Sequence, residues 1–266
     1  ILGALVSKSV TKDLRKGNAG KRIAECEYGL LNSIGLQNPG VESFKKENKG
    51  LYNSLKIPKI VNVAGASEEE YLEVIRQLET LQWVDIYELN VSCPNVDAGG
   101  MGIGQDKKAL YQLIIRTKAM TNRPVWVKLS PNVTSIADMA KICEKAGADA
   151  LVVCNTFKGL RMNLQTGKPE IPRAVAGYSG PAIKPQALAM VYECAQAVSL
   201  PIVGVGGITN AEDVLEMLLA GASAVQIGTA NLIHPDIMPE IIEALPHVLK
   251  KYGYTSVQDV YRKVKK

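Results

Sequence analysis

Seven short apolar runs recur along the chain, at residues 2–6, 57–64, 84–91, 125–129, 150–153, 202–205 and 224–227. Short continuous runs of this kind are typical of parallel strands that are buried on both faces. Helical patterns follow most of them, at residues 68–81, 108–119, 136–145, 185–197 and 211–219. This alternation predicts parallel βα units and an α/β fold of the TIM (β/α)8 barrel type.

Such a barrel has eight strands, and the first apolar run is best interpreted as the second of them. We therefore expect the first strand to be missing from this sequence. The two longest stretches without clear periodicity, residues 11–49 and 157–180, are rich in Gly, Asn and Pro. Long ordered loops in a compact domain are usually functional, so we expect both to serve the site. With 266 residues and 47% apolar content, one barrel domain over residues 1–266 is predicted.

Charge and cysteine content argue against several classes of protein. The net charge is +5, but 31 basic and 26 acidic side chains are interspersed and only 5% of residues are aromatic, which argues against a nucleic-acid surface. The five cysteines are scattered without a Cys-x-x-Cys pair, which suits a reducing cytosol and indicates no metal or cluster site. The apolar start is far too short to span a bilayer. A cytoplasmic protein without membrane contact is predicted.

Two glycine-containing turns near the carboxyl terminus predict a phosphate site. Gly206 and Gly207 end one apolar run, and Gly228 and Thr229 follow the next. Glycine lets backbone N–H groups approach an anion closely, and barrels of this type bind phosphate at the loops after their last two strands. A tight strand-to-helix turn would explain either motif alone, but two on adjacent strands favour a phosphate. The motif leaves open which ligand carries it.

Two lysines lie in or just after predicted strands. Lys128 interrupts a strand that is expected to be buried on both faces, where an ammonium group needs an anionic or polar partner. Lys8 repeats the pattern after the first run. Together they favour an anionic substrate or an electron-rich ring. A core ion pair, a side chain that reaches solvent, or a Schiff-base lysine as in aldolases are the alternatives for Lys128.

Asparagines crowd the predicted strand ends: Asn32, Asn62, Asn90, Asn95 and Asn155. Each amide offers a donor and an acceptor, and could match the alternating N–H and C=O groups of a pyrimidine or of a flavin. Any one of them could instead serve a turn or a helix cap. Their shared position favours ligand binding.

Cys93 lies in the polar segment NVSCPN, residues 90–95, directly after an apolar run. A thiol, with an unperturbed pKa of about 8.5, can remove a weakly acidic proton beside a carbonyl if its neighbours favour the thiolate. Inert packing is the alternative. The two histidines, His234 and His247, are near predicted helices and are interpreted as structural, so a Cys-His nucleophilic pair has little support.

Four segments resemble the cysteine-type (class 1) dihydroorotate dehydrogenases: KSVT at 8–11, NSIGLQNPG at 32–40, NVSCPN at 90–95 and SGPAIKP at 179–185. The resemblance extends over essentially the whole chain and is greatest to the NAD-linked B type. It implies an FMN-binding barrel in pyrimidine biosynthesis, in which Cys93 takes a proton from dihydroorotate while hydride passes to the flavin. It also implies a partner subunit with FAD and an iron–sulfur cluster, and a homodimeric core in a heterotetramer.

The resemblance assigns residues to both ligands. Those implied for the substrate are Lys8, Asn32, Ser33, Ile34, Gly35, Leu36, Asn90, Asn95, Asn155 and Thr156. Those implied for FMN are Lys8, Ser9, Asn62, Asn90, Lys128, Cys154, Gly180, Gly206, Gly207, Gly228 and Thr229.

Other interpretations remain open at this point. The segment GMGIGQD, residues 100–106, is similar to a loop of the dihydropyrimidine dehydrogenases that contains their catalytic cysteine, but no cysteine lies in it here. That difference favours Cys93 and dihydroorotate. A dihydropyrimidine dehydrogenase subunit, or a non-catalytic barrel that binds a phosphate ligand or a partner, are the alternatives. The sequence does not distinguish NAD from fumarate as the final electron acceptor.

Overall fold

The computed structural model describes residues 2–92 and 102–264, and within them seven strands form one parallel sheet. In chain order the strands are β1 (Leu5–Val6), β2 (Lys59–Val63), β3 (Ile86–Asn90), β4 (Val125–Lys128), β5 (Ala150–Val153), β6 (Ile202–Val205) and β7 (Ala224–Gln226). Every strand pairs with the next one along the chain. The seven predicted strands and the barrel class are confirmed, with most strands one to three residues shorter than the apolar runs.

Nine helices are present in the described part of the chain. They are α1 (Val41–Ser54), α2 (Glu68–Leu78), α3 (Lys107–Met120), α4 (Ile136–Lys145), α5 (Lys184–Ala197), α6 (Ala211–Leu219), α7 (Thr229–Ile233), α8 (Ile237–Lys251) and α9 (Val257–Val264). Ser67, Asp106, Ser135 and Asn210 cap the first turns of α2, α3, α4 and α6 with side-chain oxygens, which satisfies backbone N–H groups and fixes where these helices begin.

The main core lies between the sheet and the helices. All four residues of β5 are buried, and Val127 and Ile202 on its neighbours pack in the same cluster as Leu113 and Ala140 of the helices. Burial on both faces of a strand explains the continuous apolar runs in the sequence. No helix of residues 2–92 and 102–264 is long and apolar enough to cross a membrane.

A second, antiparallel sheet joins the two stretches that lacked periodicity. Its four strands, in spatial order, are Ile23–Cys26, Gly29–Asn32, Ala176–Ser179 and Phe157–Gly159. A small hairpin, Met162–Asn163 with Lys168–Pro169, lies within the second stretch. The expectation of loops at 11–49 and 157–180 is therefore wrong in part, and α1 also begins inside the first stretch. These strands are only two to four residues long, too short for a clear alternation, and the central pairing of the sheet, Gly29–Asn32 with Ala176–Ser179, joins distant parts of the chain, so the local pattern did not indicate them.

We expect Leu151→Ala in β5 to lower the free energy of unfolding by about 2–5 kcal/mol, because the side chain is fully buried and its removal leaves a cavity. Urea unfolding followed by circular dichroism measures the change. Leu164→Ala is the matched control, since that leucine is 96% exposed and its loss leaves the midpoint unchanged. Equal midpoints for both variants would contradict the assignment of β5 to the core.

Candidate active site

The carboxyl ends of parallel strands lie on the same edge of the sheet, and polar residues of several strands, predicted and not predicted, meet there. Asn62 on β2 is in register with Glu88 on β3, and Asn90 on β3 is in register with Lys128 on β4. Gln226 ends β7. The five side chains come from four strands that the alternation of strand and helix brings into one ring.

Glu88 is the centre of this ring and is fully buried. The Asn62 Nδ2 group donates to Glu88 Oε1 at 2.6 Å, and the Gln226 Nε2 group donates to Glu88 Oε2 at 2.7 Å. Lys128 Nζ lies 3.8 Å from Oε1. Because β3 and β7 are not neighbours in the sheet, the bond between Glu88 and Gln226 crosses the interior and shows that the sheet curls into a barrel.

Glu88 and Gln226 were not predicted from the sequence. The sequence nevertheless contains a signal for Glu88, because a carboxylate inside an apolar run needs a polar partner for the same reason as the ammonium of Lys128 does. Of the alternatives for Lys128, the structure places the ammonium beside a buried carboxylate while leaving its side chain 20% exposed. Lys128 can therefore pair with Glu88 and still contact a ligand.

Asn62 carries an acceptor that no group among the described residues satisfies. Its Oδ1 atom is buried and has no hydrogen-bond partner, whereas its backbone N–H donates to Ser7 Oγ at 3.0 Å. A buried polar atom left unpaired costs about 1–3 kcal/mol. Such an atom at the mouth of a barrel is suited to accept a hydrogen bond from a ligand.

A second network surrounds Asn90. Asn90 Nδ2 donates to Ser9 Oγ at 3.1 Å, while Asn90 Oδ1 accepts from Ser92 Oγ at 2.9 Å and from Asn155 Nδ2 at 3.3 Å. Asn155 Nδ2 also donates to Ser92 Oγ at 2.5 Å, and its Oδ1 accepts from the Thr156 backbone N–H at 2.8 Å. The structure thus brings together the ends of β3 and β5 and the segment after β1.

The predicted substrate segment, residues 32–36, is held by the antiparallel sheet. Asn32 is in register with Gly177, and a Cβ atom on Gly177 would clash with Thr156 Oγ1 and touch Asn32 Nδ2. The absent side chain therefore lets Asn32 and Thr156 approach each other. Farther along, Ser33 Oγ accepts from Asn18 Nδ2 at 2.7 Å.

The rest of this segment is also fixed locally. The Ile34 carbonyl accepts from the Asn18 backbone N–H at 3.1 Å, and a Cβ on Gly35 would collide with Asn18. Leu36 is buried. Lys8 is exposed and lies two residues after β1.

The two glycines of the turn after β6 have positive φ angles, and the phosphate site stays a prediction. Gly206 has φ +131° and Gly207 has φ +74°, a region that side-chain-bearing residues rarely adopt. Gly180 and Gly228 begin the neighbouring turns, which Thr229 joins by donating from Oγ1 to Ser179 Oγ at 2.8 Å. Gly180 thus follows the strand Ala176–Ser179, Gly206 and Gly207 follow β6, and Gly228 and Thr229 follow β7, and the first and last of these turns are joined by the Thr229–Ser179 hydrogen bond.

Asp213, a residue that was not predicted from the sequence, holds the turn after Gly207. Its Oδ2 accepts from the Thr209 backbone at 2.7 Å and hydroxyl at 2.8 Å, and from the Asn210 backbone at 3.2 Å, while Oδ1 accepts from Lys184 Nζ at 2.6 Å. Burial alone would raise the pKa of Asp213, but the hydrogen bonds from Lys184 and Thr209 outweigh it and hold this pKa below its usual value.

The cysteines in the described residues are poor candidates for a base. Burial raises the pKa of the Cys154 thiol to about 12 although Lys128 lowers it, and burial raises the pKa of Cys194 to about 12 as well. Cys143 and Cys26 are shifted in the same direction, again mainly by burial. Cys93 and Asn95 lie outside the described residues, so their roles stay predictions. His234 bonds Glu240 at 2.7 Å on an exposed surface.

Comparison with known proteins identifies the family. The family model for dihydroorotate dehydrogenase matches residues 1–249. The chain belongs to the dihydroorotate dehydrogenase family. The sequence resemblance is thereby confirmed, and the dihydropyrimidine dehydrogenase alternative is not favoured.

Relatives within the family agree on one subtype. A protein of Bacillus pumilus, named dihydroorotate dehydrogenase B (NAD(+)), catalytic subunit, is 49% identical over 97% of this chain and 84% of its own length. One of Anoxybacillus flavithermus with the same name is 48% identical over 97% of this chain and 83% of its own. A solved DHODH structure from Eimeria tenella, in complex with ferulenol, has a TM-score of 0.82 and 20% identity, and covers 97% of this chain and 78% of its own. It supports the fold.

Asp213→Asn tests how the glycine turn is held. Because folding lowers the Asp213 pKa, its carboxylate stabilises the fold fully above the unfolded value of about 3.9 and loses this effect as pH falls through the lower folded value. We expect the urea midpoint of the wild type to exceed that of the variant at about pH 6, and the difference to shrink below about pH 4. The control is Asp236→Asn, an exposed position whose side chain makes no capping bond. A pH-independent difference for Asp213→Asn would contradict this role.

Proposed function

We propose that this chain is the catalytic subunit of a flavin-dependent enzyme that oxidises dihydroorotate to orotate in pyrimidine biosynthesis. One observation carries the proposal: amides predicted for the substrate and for the flavin meet at one edge of the barrel, in a chain whose relatives are named dihydroorotate dehydrogenase B. Asn90 belongs to both predicted sets and bonds Asn155 on one side and Ser9 on the other.

The described residues fit FMN as the particular flavin. Among the described residues Asn62 Oδ1 has no partner and offers an acceptor, Lys128 offers a cation, and Gly206 and Gly207 lack a Cβ and adopt positive φ angles in the turn after β6. A flavin's ring carries N–H and C=O groups and its chain ends in a phosphate, so an acceptor, a cation and backbone N–H donors would match it. Bound FMN would supply a two-electron acceptor for the hydride of the substrate.

The chain's own residues would bind and deprotonate the substrate. We propose that Cys93, as a thiolate, accepts the proton from the carbon beside the carbonyl of dihydroorotate while the adjacent carbon loses hydride, so that a carbon–carbon double bond forms. Ser92, which precedes Cys93, is bonded to both Asn90 and Asn155. Asn32, Asn155 and Thr156 would orient the ring through their amide and hydroxyl groups.

A partner subunit follows from this proposal. Relatives named catalytic subunit with NAD(+) as acceptor imply a separate electron-transfer subunit. We propose that this partner carries FAD and an iron–sulfur cluster, that the assembly is a heterotetramer around a homodimer of this chain, and that it is cytoplasmic.

Cys93→Ala tests the proposed base. The variant should still bind FMN and be yellow, while anaerobic reduction of the flavin by dihydroorotate slows by about 10²–10⁴-fold, the usual contribution of a general base. Stopped-flow absorbance of the bound flavin measures the rate. Cys26→Ala, on the antiparallel sheet, is the matched control and should reduce at the wild-type rate. A normal rate in Cys93→Ala would remove this cysteine from the mechanism.

Substrate choice tests the proposal against the dihydropyrimidine alternative. We expect dihydroorotate to bleach the flavin of the anaerobic wild-type protein and dihydrouracil to leave it oxidised. Bleaching by dihydrouracil alone would assign the chain to the other substrate.

Asn155→Ala should raise the dihydroorotate concentration needed for half-maximal reduction about tenfold or more, since a substrate hydrogen bond in a buried site contributes about 1–3 kcal/mol.

A further inference from the structure

The buried carboxylate of Glu88 has no part in the predicted site, yet it touches two residues that do. It is fully buried, and all its identified partners are donors: the amides of Asn62 and Gln226 and the ammonium of Lys128. A charge in such a place is expensive to bury, and a packed apolar residue would remove that cost. This position therefore needs an explanation beyond stability.

The first effect of Glu88 is on the polarity of Asn62. A carboxylate only accepts hydrogen bonds, so the amide of Asn62 must turn its nitrogen toward Glu88, at 2.6 Å, and its oxygen away. That oxygen is the buried atom without a partner among the described residues. The carboxylate thus makes Asn62 present an acceptor, and a ligand that fills the site must supply an N–H or O–H donor.

The second effect is on the charge of Lys128. Its Nζ lies 3.8 Å from Glu88 Oε1, and Glu88 is buried while the lysine side chain is 20% exposed. Water screens such a pair weakly from the Glu88 side, so the carboxylate offsets part of the field that the ammonium exerts on a ligand at the mouth.

We propose that Glu88 is a positioning residue for the flavin: it orients the Asn62 amide with its oxygen toward the ligand, and it offsets the Lys128 charge so that the bound flavin is harder to reduce. The inference rests on the proposed function, because it takes a flavin as the ligand. It assigns to Glu88 the tuning of charge near the ring, which is one of the main ways in which a protein sets the electronics of a flavin.

The test is the midpoint potential of bound FMN in the full-length Glu88→Gln variant. Glutamine has the same shape but no charge, so Lys128 loses its counter-charge and favours the more negative reduced flavin. We expect the ratio of affinities for reduced over oxidised FMN to rise at least tenfold, which for a two-electron couple is a positive shift of about 30 mV. An unchanged midpoint in an FMN-loaded variant would overturn the proposal.

A double-mutant comparison separates this role from a structural one. The fields of two charges add, so Lys128→Met should shift the midpoint potential of bound FMN in the negative direction, opposite to Glu88→Gln, and the double variant should lie between the two single variants. A positive shift in Lys128→Met would show that the ammonium does not favour the reduced flavin, and would overturn that part of the proposal.

Glu79→Gln is the matched control. Glu79 is also a hydrogen-bonded glutamate, but it accepts from Tyr87, Thr121 and Arg123 at the amino end of β3, away from the site. The Glu79→Gln variant should unfold at a lower urea concentration than the wild type, while the midpoint potential of its bound FMN stays unchanged. An equal midpoint shift in Glu79→Gln would overturn the proposal, because the effect would then not be specific to Glu88.

A second variant keeps the test decisive if Glu88→Gln does not take up FMN. Glu88→Asp retains the charge but withdraws it by one methylene, and should shift the midpoint in the same direction by a smaller amount. No shift in the FMN-loaded Asp variant would then overturn the proposal. Bleaching of the wild-type flavin by dihydroorotate is measured separately, so failure of this inference and failure of the proposed function give different results.

Discussion

A buried negative charge at the centre of the barrel constrains much of what surrounds it. Glu88 can be desolvated only if donors reach it from several sides, and they come from β2, β4 and β7. Each of those donors must therefore lie at the matching height on its own strand. The register between β2 and β3 and the curl that brings β7 across the interior both serve that requirement. The polar layer at the mouth and the apolar core around it are parts of one arrangement.

Above this layer the site is built from segments that lie far apart in the chain. Asn90 links the end of β3 to Ser9 after β1 and to Asn155 after β5, and Gly177 allows Asn32 to approach Thr156. The glycine turn after β6 is held separately, by Asp213 and Lys184. The proposed ring-binding region and the proposed phosphate-binding region are thus supported by different sets of hydrogen bonds, as a ligand with a flat ring at one end and an anion at the other would require.

The barrel could be predicted from the sequence because its signals are local. Strands buried on both faces give continuous apolar runs, as in β5, and capped amphipathic helices follow them. The antiparallel sheet could not be predicted in this way, since its strands are only three or four residues long and its central pairing, Gly29–Asn32 with Ala176–Ser179, joins distant parts of the chain. Among site residues, Lys128 and the asparagines were found by their position at strand ends. Glu88, Gln226 and Asp213 were missed, because their importance lies in partners that only the folded chain brings near.

The antiparallel sheet also has a consequence for the order in which the molecule assembles. The Asn32 side chain reaches the Gly177 carbonyl across 145 positions of sequence, whereas neighbouring barrel strands are joined through a single intervening helix in most cases. Closing so large a loop carries an entropic penalty that local pairings such as the hairpin of Ile23–Cys26 with Gly29–Asn32 avoid, so we expect the pairing of Gly29–Asn32 with Ala176–Ser179 to form late. Partly folded chains would then contain much of the barrel but lack a complete site at its mouth. Catalytic ability would therefore appear only at the last stage of folding.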